Sequence, residues 1–483
     1  MSLKQKTIRS AKWSAISTLV VVLFGFLQIT ILSRMIPPVE FGILTVVIAI
    51  TLLAETLSDF GISNSIIQQE NTDVIQLSTL YWVNVLFGIV VFVTFFTTAS
   101  IVSAWLELPG LKYLIQTISF AFLIIPHGQQ HRALLQKELN FDVVGKIESI
   151  SYLLGFATSI LFAFYLKNAL CAVFGYMVNV AVRTMLLIVY GRKLSQPKLR
   201  FNISCIKGNL KFGAYLTADS IVNYINSNMS TALITKLLGA TATGGYNIAY
   251  NVAVNPPSKL NPILTRVLFP AFSKIQNDSV KLRVNFFKLL SIVGFLNFPA
   301  LVGLCLLSSD FVYVVFGQKW MFIVGVMQVL CIAGLLRAIG NPIGSLLMAK
   351  ARVDLSFKFN VVKIFMFAPA LFFGAKSAGL MGVAIGFLLV QLLNTYLTYF
   401  VLIRPVLGKC YKEYIHSIVS PLLHVIPMIV AVTLINHIVV FDNKMILLLF
   451  KIISGISVYV LTILASKNNV LCEIKSTIVK RVK

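Results

Sequence analysis

The 483-residue sequence has little charge: only 12% of its residues are Asp, Glu, Lys or Arg, about half the share found in soluble domains. A chain of this length that folds in water needs far more polar surface to cover its core. Hydrophobic residues instead make up 58% of the chain, and the mean hydropathy is +0.88. These values exclude a soluble globular enzyme, a disordered protein and a fibrous protein. They predict an all-α polytopic membrane protein.

Metal-site and disulfide patterns are also missing. The six Cys residues are scattered without a Cys-x-x-Cys pair, and the five His residues form no ligand pattern beyond the spacing of His127 and His131. The sequence has no Walker-type glycine loop for phosphate either. We therefore expect no metal, no cofactor and no enzymatic activity.

Acidic residues are scarce beside basic ones: 16 Asp and Glu accompany 41 Lys and Arg, for a net charge of +25. In a soluble protein such an excess indicates nucleic-acid binding. In a membrane protein it indicates cytoplasmic loops, where basic residues collect. We expect no nucleic-acid partner.

Long apolar runs divide the chain into 14 predicted membrane spans. With the N-terminus inside, 28 of the 41 Lys and Arg residues fall in inner segments and seven in outer connections, so both termini are predicted to be cytoplasmic. No small-residue cleavage site follows the first run, so we expect that run to be retained as a helix. The outer connections are too short for a folded domain. The predicted spans are 13–33, 41–66, 78–103, 112–127, 147–166, 169–190, 212–235, 246–271, 289–308, 321–348, 359–375, 379–403, 416–439 and 445–465.

A short internal match suggests that the chain is a repeat. Arg34 and Gly42 match Lys236 and Gly244, both at an offset of 202 residues. This offset aligns spans 1–6 with spans 7–12 in the same orientation, an arrangement common in transporters. The predicted parts are a six-helix lobe at 1–200, a second six-helix lobe at 201–408, and an extra helix pair with a cytoplasmic tail at 409–483.

Three segments near the N-terminus carry a family resemblance. Residues 34–42 (RMIPPVEFG), 57–62 (LSDFGI) and 66–68 (IIQ) resemble the pattern of bacterial polysaccharide exporters, the Wzx-type O-antigen flippases of the multidrug/oligosaccharidyl-lipid/polysaccharide superfamily. The resemblance implies two six-helix lobes facing a central cavity, alternating access, and a lipid-linked oligosaccharide as cargo. It also implies a place in the bacterial inner membrane, with membrane lipids and other polysaccharide-synthesis membrane proteins as partners.

Three alternatives remain open at this point. One is a channel or structural scaffold, although the repeat and the proline-broken eighth span fit alternating access better. A multidrug exporter of the same superfamily mostly carries cationic cargo, so it would need an acidic cavity. An integral-membrane polysaccharide polymerase would need a large outer loop rich in Arg, and no loop of that size occurs in the sequence.

The implied cargo sets the chemistry of the site. A polyprenyl diphosphate headgroup is anionic and cannot cross bare hydrocarbon, because burying an unpaired charge costs several kcal/mol or more. Cations inside the spans would hold it, and Arg suits phosphate because its planar guanidinium binds two oxygens at once. The competing interpretation of each cation is snorkelling or pairing between helices, and for Lys363 we expect an interface anchor. The predicted substrate-binding residues are Arg266, Lys259, Arg183, Arg337, Asn223 and Asn226.

The remaining polar residues suggest gating and coupling. Arg34 and Lys236 occupy matched outer helix ends, and we predict a gate or interface there, with Glu40 beside Arg34. Glu55, Asp59 and Asp219 are predicted sites for a coupling Na⁺ or H⁺. Each could instead neutralise a nearby Arg, and Asp59 could cap a helix.

Overall fold

The structure is a computed structural model that describes residues 3–69, 73–257, 272, 275, 277–350, 352–438, 442–466, 468 and 470–472, with the side chains of 3–12, 14, 15, 219, 353 and 357 outside the description. Across these residues the chain is helical and contains no β-strand, which confirms the all-α class. The chain forms two compact units, Met1–Gly244 and Gly245–Lys483. The predicted divisions near residues 200 and 408 remain predictions.

The first unit contains long helices joined by short turns. Pro38 is well suited to begin a helix, because a proline at the first helical position lacks only an amide that would have no partner there. The helices are α1 (Leu3–Met35), α2 (Pro38–Asp59), α3 (Ile62–Gln68), α4 (Val74–Leu106), α5 (Leu111–Ser119), α6 (Ala121–Lys137), α7 (Phe141–Leu166), α8 (Leu170–Gly191) and most of α9 (Lys207–Ala253).

The second unit holds the end of α9 and the helices that follow it. Asp278 begins the first of these by accepting a hydrogen bond of 3.0 Å from the Lys281 amide, a typical N-cap. The helices are α10 (Ser279–Leu306), α11 (Ser308–Phe311), α12 (Val324–Gly340), α13 (Ile343–Ala349), α14 (Val353–Thr398), α15 (Arg404–Leu407), α16 (Tyr411–Ile438) and α17 (Lys444–Ala465).

Ten helices among the described residues are long and apolar enough to cross a membrane, so the chain is a multi-pass membrane protein. The count of 14 spans and the six-helix repeat remain predictions. Four differences separate the numbers. The predicted spans 359–375 and 379–403 run together in one apolar stretch, Asp354–Leu407. The predicted spans 112–127, 212–235 and 246–271 are not among the ten, and the last of them extends over residues 258–271, which lie outside the description.

Glycine interrupts two of the long helices, and one of them, α14, is a hairpin. Gly239 breaks α9 with φ 81°, and Gly379 breaks α14 with φ 54°, in a region of backbone space that favours glycine. The arms of α14 then pack backbone against backbone. A methyl group on Gly374 would lie 2.3 Å from the Gly382 carbonyl oxygen, and one on Gly386 would lie 2.6 Å from that of Ala370. In α14, glycine thus closes a turn that needs almost no connecting loop.

The first unit contains an equally tight crossing between α2 and α9. A methyl group on Gly42 would lie 1.8 Å from the carbonyl oxygen of Ala240, and one on Gly244 would lie 2.9 Å from the Gly42 amide nitrogen. Small residues let helices in a membrane approach in this way. Gly42 and Gly244 are the two glycines that the 202-residue offset matches, and the fold brings them into contact.

Candidate functional site

In the second unit, two cations lie close together inside apolar helices. Arg337 on α12 donates a hydrogen bond to the Tyr250 hydroxyl from α9, and its guanidinium carbon lies 5.8 Å from the centroid of that ring. Lys363 on α14 is close enough to Arg337 for the two positive charges to interact. Both cations are half-buried. Within the described part of the chain, neither has a carboxylate partner.

A ladder of amides begins on α9 and continues past its end. The Asn251 amide nitrogen donates to the side-chain oxygen of Asn247 at 2.8 Å, and the Asn255 amide nitrogen donates to that of Asn251 at 2.6 Å. Asn247 and Asn251 are four residues apart on α9 and therefore lie on one helix face. On the other side of Tyr250, its ring packs edge-on against Phe387, with centroids 5.7 Å apart. The arrangement provides two cations, amide groups and aromatic rings, which suit a phosphate and a sugar.

Two other cations in the described spans, Lys451 and Arg183, lie beside carboxylates, which distinguishes them from the Arg337 pair. Lys451 on α17 is 5% exposed, and its Nζ lies 2.6 Å from a carboxylate oxygen of Asp310. Arg183 on α8 lies 3.6 Å from a carboxylate oxygen of Glu55 on α2. A lone cation inside a span costs about 2.5–3.5 kcal/mol on insertion scales. A pair of cations without acids is therefore a candidate binding site for an anion.

The Arg183 cluster in the first unit has a different character. The Tyr176 hydroxyl donates to the same oxygen of Glu55 at 2.5 Å, so two groups from α8 hold this carboxylate. The side chains of Arg183 and Glu55 remain 28% and 30% exposed. The contact matches the alternative in which Glu55 neutralises a nearby Arg. Substrate binding by Arg183 and ion coupling by Glu55 remain predictions.

Lys236, at the end of the first arm of α9, is tied to the end of α4. Its Nζ lies 2.7 Å from a carboxylate oxygen of Glu107 and 2.8 Å from the carbonyl oxygen of Trp105. This hydrogen bond, with the positive charge behind it, lowers the pKa of Glu107 below its ordinary value of 4.5. Glu107 could not be identified as the partner from the sequence alone, because 129 residues separate the pair.

The lowered pKa of Glu107 predicts how this contact depends on pH. A depressed carboxyl pKa stabilises the folded chain above the unfolded pKa, and the gain disappears as the pH falls through the folded pKa. We expect Glu107→Gln to have a slightly lower Tm than the wild type at pH 7 and the same Tm at pH 3. Thermal melts of both proteins in detergent measure this. Glu138→Gln, at an exposed carboxylate, is the control, and a gap that persists at pH 3 would contradict the assignment.

The other predicted gate residues lie at helix ends. Arg34 is exposed in the last turn of α1, where the partial negative charge of the helix end favours a cation. A carboxylate oxygen of Glu40 accepts a hydrogen bond of 2.9 Å from the Ala169 amide, just before α8. Glu40 therefore ties the first turn of α2 to the start of α8. The gate remains a prediction.

Asp59 ends α2 and joins it to α3. Its side chain accepts hydrogen bonds from the Ser63 hydroxyl at 2.5 Å and from the Ser63 amide at 3.4 Å, as in the capping alternative.

The predicted ligands Asn223 and Asn226 lie on α9, where Asn223 is exposed and Asn226 is half-buried. Between them, the Tyr224 hydroxyl donates a hydrogen bond of 2.8 Å to the Ala49 carbonyl oxygen, which fixes α9 against α2. Lys259, Arg266 and the side chain of Asp219 lie outside the described residues.

Comparison with known proteins gives the family. A family model described as "Polysaccharide biosynthesis protein" matches residues 31–325. The lipopolysaccharide biosynthesis protein WzxC of Escherichia coli (strain K12) is 56% identical over 89% of this chain and 87% of its own. The teichuronic acid biosynthesis protein TuaB of Bacillus subtilis (strain 168) is 32% identical over 87% of each chain.

Comparison with solved structures shows which fold the chain shares. The lipid II flippase MurJ in an inward closed conformation superposes with a TM-score of 0.77 over 93% of this chain and 97% of that one. Its sequence identity is 14%, so the likeness concerns the fold alone. The family resemblance found in the N-terminal motifs is confirmed by the family model and the two relatives. The chain therefore belongs to the polysaccharide biosynthesis protein family, the Wzx-type exporters of the multidrug/oligosaccharidyl-lipid/polysaccharide superfamily.

Proposed function

We propose that the chain is a flippase that moves a saccharide linked to a polyprenyl diphosphate from the inner to the outer leaflet by alternating access. The observation that carries this proposal is the pair of half-buried cations, Arg337 and Lys363, which have no acidic partner among the described residues. A diphosphate brings two or more negative charges, and a pair of cations matches it. The saccharide would be an O-antigen, capsule or exopolysaccharide unit.

The chemistry of the cluster assigns a role to each part. Arg337 offers a planar set of donors that can bind two phosphate oxygens, and Lys363 adds a point charge. Asn247, Asn251 and the Tyr250 ring would contact the sugar next to the diphosphate, through amide hydrogen bonds and an apolar face. The polyprenyl tail would stay in lipid, so the protein has to carry only the headgroup.

The sign of the charge favours this cargo over the multidrug alternative. A cationic drug would require carboxylates in place of Arg337 and Lys363. The names of WzxC and TuaB refer to lipopolysaccharide and teichuronic acid biosynthesis, which supports a saccharide as cargo. Arg266 and Lys259 remain predicted ligands of the same headgroup. Glu55, Asp59 and Asp219 remain the predicted sites for a coupling Na⁺ or H⁺, and both termini are proposed to be cytoplasmic.

A flipping assay in proteoliposomes tests the proposal. Vesicles containing the full chain and a fluorescent saccharide on polyprenyl diphosphate are treated with a quencher that reaches one leaflet only. We expect transfer of the diphosphate-linked sugar and little transfer of the same sugar on a neutral polyprenyl ether. Equal transfer of both lipids, or transfer of a cationic dye in preference to them, would contradict the proposal.

The membrane potential should contribute to the direction of transport. Moving a doubly charged anion outward from a negative interior releases about 4–5 kcal/mol per 100 mV. We expect that collapsing an inside-negative potential with valinomycin and matched K⁺ will slow outward transfer at least several-fold. Transfer of the neutral lipid in the same vesicles is the control. An unchanged rate for the diphosphate lipid would exclude the potential as a driving force.

A further inference from the structure

A second group of cations lies in the second unit, between the end of α14 and the start of α16. A cleft of about 640 Å³ opens there, and its basic lining residues are Arg283, Arg404, Lys409 and Lys412. Glu413 is the one acid among the described lining residues, and it forms an ion pair with Arg283. Three cations therefore remain in excess. Arg404, Lys409 and Lys412 are all exposed.

Aromatic side chains build the apolar wall of this cleft. The ring centroids of Tyr399 and Tyr411 lie 5.0 Å apart. The Tyr399 hydroxyl accepts a hydrogen bond of 3.0 Å from the Cys410 amide, and the Tyr414 hydroxyl donates one of 3.0 Å to the Thr395 carbonyl. These bonds fix the two helix ends against each other, so the cleft is preformed. Tyrosine beside basic residues is typical of the membrane–water interface.

Two stripes of exposed apolar side chains lead away from the cleft. Each stripe has the spacing of one helix face, with steps of four, three and four residues. The stripes consist of Leu389, Leu393, Tyr396 and Phe400 on α14, and of Ile415, Val419, Leu422 and Ile426 on α16. Tyr396 and Phe400 also line the cleft itself. A basic cleft is thus continuous with apolar surface suited to acyl chains.

We infer that this cleft binds the headgroup of an anionic phospholipid of the inner leaflet, whose acyl chains lie along the two stripes. Basic pockets between spanning helices on the cytoplasmic side bind such headgroups. Free phosphate shares the chemistry of the headgroup, but it would use only the cations and leave the stripes uncovered. The inference goes beyond the proposed function, because neither Arg337 nor Lys363 lines this cleft.

The first unit provides a matched comparison. A cleft of about 620 Å³ there is lined by Lys137, Arg192, Lys193 and Lys198, with Glu138 as the acid. Its described lining residues include no aromatic side chain. This cleft has a similar charge but no tyrosine wall. Variants of its basic residues therefore show how much lipid binding depends on charge alone.

Native mass spectrometry of the full chain in detergent tests the inference, with cardiolipin, phosphatidylglycerol and phosphatidylcholine as probes. We expect both anionic lipids to bind and phosphatidylcholine to stay unbound at the same concentration. The double variant Arg404→Gln with Lys409→Gln removes two charges, each worth about 1 kcal/mol, so cardiolipin should bind roughly thirtyfold more weakly. The matched variant Lys193→Gln with Lys198→Gln should change binding less than threefold.

Several results would overturn the inference. Equal weakening by the two double variants would mean diffuse attraction to a basic protein. Displacement of cardiolipin by micromolar inorganic pyrophosphate would mean a site for a soluble anion. Should the Arg404 and Lys409 variant not fold, Lys409→Gln alone is expected to weaken binding about fivefold, and no change would count against the site. Arg337→Ala is expected to leave cardiolipin binding unchanged, so a failure of this inference is distinguishable from a failure of the proposed function.

Discussion

Replacing Arg337 with alanine is expected to slow transfer of a diphosphate-linked saccharide by about 10- to 150-fold. A hydrogen bond to a charged group contributes about 1.5–3 kcal/mol, and a barrier raised by that amount gives this range. Arg337→Lys keeps the charge but loses the planar pair of donors, so it should retain an intermediate rate. Initial rates in the proteoliposome assay measure all three proteins.

The control for Arg337 is another arginine in the same unit. Arg352 is exposed, and its side chain lies 3.2 Å from a carboxylate oxygen of Asp354. We expect Arg352→Ala to transport at the wild-type rate. A loss of fold would lower transport of every lipid, whereas loss of a phosphate ligand should reduce the preference for diphosphate over monophosphate lipids. A variant of Arg337 that retains both rate and preference would remove this residue from the mechanism.

Gly42→Ala is expected to have the largest effect on stability. Its new methyl group would lie 1.8 Å from the carbonyl oxygen of Ala240, so α2 and α9 would have to separate. Insertion of one methyl group into a tight contact typically costs about 1–3 kcal/mol, and more where backbone atoms meet. We expect a Tm several degrees lower in detergent and a lower yield of folded protein.

Gly208→Ala is the matched control for Gly42→Ala. Gly208 lies near the start of α9, and a methyl group there meets no heavy atom within 4 Å. We expect Gly208→Ala to be neutral or slightly stabilising, because alanine favours a helix by about 0.5–1 kcal/mol over glycine. If Gly42→Ala melted at the wild-type temperature, the close crossing of α2 and α9 would be wrong.

The sequence alone predicts the class and the family well, for identifiable reasons. Low charge and long apolar runs leave few alternatives to a bundle of spanning helices, and the motif around Pro37 and Phe41 is local in the chain. Arg337 and Arg183 are also recognisable from the sequence as cations within apolar runs, and their roles in substrate binding remain predictions. Each of these signals can be read within a window of about 20 residues.

Partners that are distant in the chain could not be predicted. Lys451 and Asp310 are separated by 141 residues, and Glu55 and Tyr176 by 121. Which cation is neutralised depends on how the helices pack, and that determines which cation is free to bind a substrate. Lys363 illustrates the limit: its place near the start of a span predicts an interface anchor, which stays a prediction, and the sequence does not indicate its interaction with Arg337.

The glycine contact inside α14 has a mechanical consequence. The two arms of α14 touch backbone to backbone, with no layer of side chains between them that could rearrange. The hairpin should therefore move as one rigid body. Lys363 lies on its first arm and Tyr396 on its second, both near the open ends of the hairpin. If cargo binds at Lys363 as proposed, a tilt of the hairpin would therefore also move Tyr396 beside the cleft.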